Sequence, residues 1–356
     1  MFITFIAFVV VVGVVIFIHE SGHFLAARAV GARVEVFSLG LPPRLVGIKR
    51  GDTEYRLGWI PLGGYVKIAG MIDESMDDEG VTGAPDEFMS KSYPSKVFIL
   101  IAGVLMNFLL GFLIYAFIVF VEGDIKIDPS SSIGSLAEGY PAQEAGMLSG
   151  DRIISINSKE ISTWEDLTKI IHNRPGESLS ISWVHEADTV TSAVVPRTET
   201  RQFEDGEREI GLIGITQNIT YVKVPPAQAI SKGAKLTVTY LQMSVETVSK
   251  LVTGRASIKE VTGIVGIVQY SGQTARAGWV SFLGFIGFIS ISIGFFNILP
   301  IPMLDGGHIV MATIEVIIRR NLSTKVKLII QQVGLALILV LMVVVTYHDV
   351  LRIFIK

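Results

Sequence analysis

A multi-pass α-helical membrane fold is what this chain predicts: four transmembrane helices, a membrane-reentrant β-hairpin and an inserted extracytoplasmic α/β module. Three observations predict it. Half of the 356 residues are hydrophobic and mean hydropathy is +0.53, above what a soluble domain of this size carries. Four stretches are apolar over about the twenty residues that a bilayer crossing takes. Between the second and third stretches the composition turns polar and strand-like. The net charge of −3 gives no bulk attraction to nucleic acid, and the absence of cysteine excludes disulfides and thiolate metal sites.

The first apolar stretch runs from Phe2 to about Leu25. It lacks the charged start and the small-residue cleavage signal of a secretory leader, so it reads as a retained span. Val97 to Val121, Phe282 to about Ile298 and Leu328 to Tyr347 follow. The third is broken by Pro300 and Pro302, then Asp305-Gly306-Gly307, with an apolar helical pattern resuming from His308 to Ile318. Irregular backbone at membrane depth survives only where protein or water surrounds it, so this break points to a site. Lysine and arginine concentrate between Arg28 and Lys96 and between Arg319 and Lys327. The positive-inside rule makes both segments cytoplasmic, which puts both termini and the long Glu122–Trp279 loop outside.

Between Tyr55 and Gly70, "YRLGWIPLGGYVKIAG" has hairpin composition around Gly63-Gly64, with Pro61 at an edge or turn. Its few charges favour a strand pair dipping into the membrane. Met71 to Pro94 is acidic and polar, a flexible surface segment. From Ile127 to about Pro196 a soluble module appears. It has a short helix closed by Gly146, a turn at Gly150-Asp151, the strand Arg152–Ile156, and an amphipathic helix capped by Thr163 with Asp166 in the capping-box position. His172 and His185 read as surface residues of it. The expected divisions are a first membrane half (1–126), the module (127–200), an extracytoplasmic linker and amphipathic region (201–279) and a second membrane half (280–356).

The chemistry starts at His19-Glu20-Ser21-Gly22-His23. Histidines at i and i+4 on a helix lie one turn apart on one face, where both imidazoles reach a single Zn2+, with Glu20 beside them as general base. Ionisable groups in lipid cost about 2–3 kcal/mol each or more, so a chain carries them there for a purpose. A catalytic zinc takes three protein ligands and keeps one open position. The second and fourth spans hold no acid, and Asp305 is the only one between Thr274 and Ile314. Asp305 is therefore the expected third ligand, with Glu315 a distant alternative near the membrane edge. His308 reads as a supporting residue in preference to a ligand. Asn107 and Asn297 are intramembrane amides, suited either to orienting a substrate carbonyl or to bonding helix to helix.

With these residues in place, the chain resembles the bacterial site-2 proteases of the regulator-of-sigma-E protease group over nearly its whole length. His19–His23 is similar to that family's zinc motif, and Asn297–Asp305 ("NILPIPMLD") to its Asn-Pro…Asp-Gly motif. "GDTEYRL…IPLGGYVKIAGM" looks like its reentrant β-hairpin, and Tyr140–Ser162 like a PDZ domain, here a single one. The resemblance implies an intramembrane zinc metalloendopeptidase in the bacterial inner membrane. It would cut single-span membrane proteins, anti-sigma factors or remnant signal peptides, after a prior extracytoplasmic cut, with the PDZ module as size filter. Glu20 would be catalytic and His19, His23 and Asp305 the ligands. Asn297, Tyr55, Gly63, Gly64 and Tyr65 would contact a substrate held by strand addition to the hairpin. Gly40-Leu41-Pro42, Gly103-Val104 and Gly263-Ile264 depart from the family pattern, and these positions are expected to touch no ligand. The alternative reading is a non-proteolytic metal-dependent transporter or PDZ scaffold. A transporter would show repeats and paired broken helices, and the chain has one broken helix and no repeat.

Overall fold

The structure is a computed structural model and describes residues 1–71, 82–203, 206–257 and 261–354. In chain order, α1 (Phe2–Ala29) leads into β1 (Val34–Arg50), β2 (Thr53–Ile68) and α2 (Tyr93–Glu122). Then come β3 (Asp124–Ile127), β4 (Ile133–Leu136), α3 (Pro141–Glu144), β5 (Arg152–Ile156), β6 (Lys159–Glu160) and α4 (Trp164–His172). Strands β7 (Leu179–His185), β8 (Asp188–Val194), β9 (Arg197–Phe203), β10 (Gly206–Leu212), β11 (Ile215–Gln217) and β12 (Ile219–Val222) follow. The chain ends with α5 (Pro226–Val252), α6 (Ile264–Ala277), α7 (Trp279–Ile298), α8 (Asp305–Ile318) and α9 (Thr324–Phe354). It forms two compact units, Met1–Val121 with Pro225–Lys356, and Glu122–Val224.

In the first unit α1, α2, α7 and α9 are long and apolar enough to cross a membrane. Because α1 is apolar all round, what it buries is set by packing. Val11, Val15, His19, His23 and Ala26 form one stripe at three- to four-residue spacing, so the histidines continue the buried face. Pro300 and Pro302 stop α7 at Ile298, and the chain turns back so tightly that a Cβ on Gly306 or Gly307 would meet the carbonyl oxygens of Ile298 or Ile301 at 2.2 Å. Only glycine fits those two places.

Two helices were not read from the sequence, α5 and α6. The region 201–279 was expected to be linker and amphipathic chain, and both helices pack within the membrane unit. On α5, Gly233 sits against Ala116 of α2, and Tyr240 stacks on Tyr115 with ring centroids 5.0 Å apart. The Asp349 carboxylate of α9 accepts the Gly263 and Gly266 amides at 2.9 and 3.0 Å, capping α6 from across the sequence. These helices are amphipathic rather than apolar, so a hydropathy window passes over them.

The hairpin also differs from expectation. The tight connection is at Gly51-Asp52, where Arg50 pairs with Thr53, and not at Gly63-Gly64. Both β1 and β2 fold back on themselves. Val34–Leu39 aligns with Gly64–Ile68 on one side, and its Val36–Leu39 part with Glu54–Leu57 on the other, so the Tyr55 and Gly64 runs are separated by a strand. The part of the acidic Met71–Pro94 segment from 72 to 81 lies outside the described residues. Glu87, expected on the surface, is fully buried and accepts the Thr82 and Gly83 amides at 2.9 Å each.

The second unit is wider than the 127–200 read from composition, because β9 to β12 belong to it. Its central sheet has the order β6-β5-β7-β8, with β4 paired to β11 and β3 to β12. Trp183, Ile153, Ile181, Leu167 and Leu179 fill its core. Thr163 caps α4 by accepting the Asp166 amide at 3.2 Å, as its sequence position predicts.

His185, expected as a plain surface residue, lies 2.7 Å from the buried Asp151 carboxylate, which also accepts the Leu148 amide at 2.8 Å. That hydrogen bond holds the imidazole above its ordinary pKa. The stabilisation is therefore complete below about pH 6.5 and is lost as pH rises through the folded-state value. Hydrogen exchange at β7 should show opening made harder as the pH falls from 8 to 6. His185→Gln should remove that part of the pH dependence; an unchanged profile would contradict the assignment.

Candidate metal centre

The close contact of α1 with α2 builds the site. A Cβ on Gly22 would lie 2.4 Å from the Ala102 carbonyl oxygen, and one on Gly103 would lie 2.4 Å from His23 Nε2 and 2.9 Å from His19 Cε1. Gly103 thus faces both imidazoles, contrary to the expectation that it touches no ligand. Four residues on, Asn107 is fully buried beside His19. The i, i+4 histidine pair on α1 meets an i, i+4 glycine–asparagine pair on α2.

Asp305 enters from the start of α8. Its Oδ2 lies 3.2 Å from His19 Nε2 and its Oδ1 3.4 Å from His23 Nε2, while the two Nε2 atoms are 3.1 Å apart. Donors on a tetrahedral ion with bonds of about 2.0–2.1 Å stand roughly 3.3 Å from one another, close to the separation of the two Nε2 atoms and of each from one carboxylate oxygen.

Proton placement points the same way. His23 Nδ1 is 2.9 Å from the Ile99 carbonyl oxygen, so Nδ1 carries the hydrogen and donates it. Its Nε2 then offers a lone pair to the cavity. His19 Nδ1 is 3.3 Å from the Asn107 side-chain nitrogen, and the Asn107 Oδ1 is buried without a partner. Turning that amide over, a change that X–N and X–O positions permit, lets Oδ1 accept the His19 Nδ1–H and leaves His19 Nε2 as a second lone pair. Asp305 Oδ2 is likewise buried and receives no hydrogen bond. Three acceptor atoms converging without protons repel one another, and a cation among them relieves it. The residues fit zinc.

The trio borders a cavity of about 250 Å³ lined also by Ile16, Glu20, Gly64, Val66, Ile68, Met71, Asn297 and His308. Asn297 Nδ2 lies 3.3 Å from His19 Nε2. Of the expected substrate contacts, Asn297 and Gly64 line the cavity and the other three do not. Tyr55 packs its ring against Phe24 and Phe37, centroids 6.0 and 6.1 Å away, and Gly63 sits against the Leu41 side chain. Tyr65 lines a charged groove with Arg56 and Lys67. The alternation of a strand explains this, because Val66 and Ile68 face the cavity while Tyr65 and Lys67 face away. Glu315 is not at the site; its carboxylate pairs with Lys327 at 2.7 Å. Sequence reasoning missed Gly103, Val66 and Ile68, and left the role of Asn107 open. The four-residue spacing of Gly103 and Asn107, which matches His19 and His23, was the available signal.

Known proteins bear on this geometry. The profile of Peptidase family M50 matches residues 7–341. Three relatives with the provisional name zinc metalloprotease align end to end. That of Clostridium acetobutylicum is 34% identical over 95% of this chain and 94% of its own length. That of Agrobacterium fabrum is 32% identical over 97% and 95%, and that of Campylobacter jejuni 33% over 99% and 94%. Among solved structures, the PDZ domain of an SdrC-like protein from Listeria monocytogenes matches 26% of this chain and 90% of its own, at 17% identity and a TM-score of 0.20, too slight to argue from. Matched across nearly its whole length by family and relatives alike, this chain belongs to Peptidase family M50.

Proposed function

We propose that the protein is an intramembrane zinc metalloendopeptidase that cuts the membrane-spanning segments of single-span proteins, with His19, His23 and Asp305 as ligands and Glu20 as general base. The observation that carries this reading is the meeting of His19, His23, Asp305 and Glu20 at one cavity inside the unit built of spans. Bound there, zinc supplies a Lewis acid that brings a water's pKa toward neutrality. The chain's residues supply the rest. Glu20 takes the proton of the attacking water and returns it to the leaving amine nitrogen. The Ile99 carbonyl and Asn107 hold the two imidazoles in the tautomer that presents Nε2. Asn297, at the cavity wall, would donate to a substrate carbonyl.

A helical substrate hides its amides in its own hydrogen bonds and must be drawn out before it can be cut. The run Gly64–Ile68 is paired on one side with Val34–Leu39, and among the described residues no strand pairs with its other side. Strand addition at that edge would hold a substrate extended beside Glu20. Anti-sigma factors and remnant signal peptides, trimmed beforehand outside the membrane, are the proposed substrates, with the Glu122–Val224 unit outside as a PDZ-type size filter. The proposed setting is the bacterial inner membrane, with both termini outward and the site toward the cytoplasmic side.

Glu20→Gln should abolish cleavage of a co-expressed tagged single-span substrate while zinc content stays near one per chain; continued cleavage would remove the protease reading. His23→Ala and Asp305→Ala should each lose the zinc. Gly103→Ala, which forces a methyl group onto both rings, should lower zinc content although no ligand is altered. Asn107→Leu should weaken zinc binding by about 10–100-fold against a chelator, as loss of a ligand's orienting partner does. Asn107→Asp, which keeps an acceptor for His19 Nδ1–H, should retain it.

A further inference from the structure

A second buried charged cluster, at the other end of α8, has no part in the hydrolytic reading. Lys96, on the first turn of α2, is 8% exposed, Glu315 8% and Lys327 6%. One oxygen of the Glu315 carboxylate accepts from Lys327 Nζ at 2.7 Å and from the Leu322 amide at 2.8 Å. That carboxylate pairs directly with one ammonium and acts on the other only at longer range. Among the described residues no carboxylate oxygen lies within 4.0 Å of Lys96 Nζ, which stands over the Phe88 ring, 5.9 Å from its centroid. A charge in so buried a setting favours a close counter-charge, and here two ammonium groups share the one carboxylate of Glu315, which pairs directly only with Lys327.

Lys96 opens on a cavity of about 300 Å³ that Tyr93, Glu315, Arg319, Arg320 and Asn321 also line. Neither arginine has a carboxylate partner among the described residues. Four cations, counting Lys327, are thus gathered around the single carboxylate of Glu315. Beside them α8 exposes Val316 and Ile317, the latter 73% accessible. Basic side chains bordering bare hydrocarbon, at the start of one span and next to the start of another, mark the depth of lipid headgroups.

We propose that this cavity binds a phosphate group, the phosphodiester of an anionic phospholipid, with Lys96 at its floor and Arg319 and Arg320 at its rim. The alkyl chains would lie along Val316 and Ile317. Free inorganic phosphate offers the same oxygens without the chains, so both sources enter the test.

Native mass spectrometry of the full chain, with added phosphatidylglycerol, phosphatidylcholine or inorganic phosphate, decides it. Phosphatidylglycerol should be retained in preference to phosphatidylcholine. Lys96→Met and Arg320→Gln should each weaken it about fivefold, the worth of one basic residue near an anionic surface. Lys96→Arg should restore it, and Lys325→Gln, which removes a charge from the same turn outside the cavity, should change it less than twofold, about what nonspecific charge loss gives. Arg320 is exposed, so its variant tests the site even where Lys96→Met fails to fold. Equal retention of the two lipids, or equal effects of Arg320→Gln and Lys325→Gln, would overturn the proposal. Complete displacement of the lipid by millimolar phosphate would overturn the headgroup assignment.

Discussion

Everything at the centre depends on how closely α1 approaches α2. Two imidazoles and a carboxylate lie within a unit whose spans are almost wholly hydrocarbon, and each of their polar atoms needs a partner there. Gly22 and Gly103 let the helix backbones touch, which brings the Ile99 carbonyl to His23 and the Asn107 amide to His19. The outer nitrogen of each ring is thereby occupied, and the inner one is free to face Asp305. A methyl group at position 103 would take the space that His23 Nε2 fills. The polar centre is therefore a consequence of missing side chains as much as of those present. Asn107 itself is held from behind, since its backbone carbonyl accepts the Ser290 hydroxyl of α7 at 2.8 Å.

The break after α7 completes the arrangement. Pro300 and Pro302 end the helix, Gly306 and Gly307 allow the next one to start against the carbonyls it has just left, and Asp305 becomes the first residue of α8. A helix start leaves amides unpaired and carries partial positive charge, a favourable place for a carboxylate. The same turn is tied to α9, where Gly334 lies against Pro302. A ligand placed on a turn would ordinarily be mobile; here helices enclose the turn on both sides.

Features set by local chemistry were legible in the sequence. Apolar length located α1, α2, α7 and α9, proline located the break, and the His-Glu-x-x-His spacing with the scarcity of intramembrane acids singled out the residues that the fold brings together. Features set by long-range packing were not. The pairing of Val34–Leu39 with two separate parts of β2 depends on contacts that no window covers, so Tyr55 and Tyr65 were expected at a cavity they do not reach. α5 and α6 owe their place to Tyr115, Ala116 and Asp349, partners far away in the chain. Asn107 was visible as an intramembrane amide, but its neighbour, His19, lies 88 residues away in the chain and could not be read from local sequence.

Gly64 joins the two halves of the proposed reaction. An added Cβ there would stand 2.7 Å from the Ser38 carbonyl oxygen and 3.3 Å from Ile16 Cγ2, with Glu20 Cγ next at 3.8 Å. A side chain at this position would push β2 away from α1 and widen the gap beside the base. Hydrolysis needs the scissile carbonyl within reach of a water that Glu20 can deprotonate, and it needs the peptide extended so that this carbonyl is not already bonded within a helix. A strand edge that runs past Glu20, with only glycine at the nearest point, meets both requirements in one place. On the proposed reading, the bareness of Gly64 is what allows a single strand both to line the metal cavity and to receive the chain that is cut.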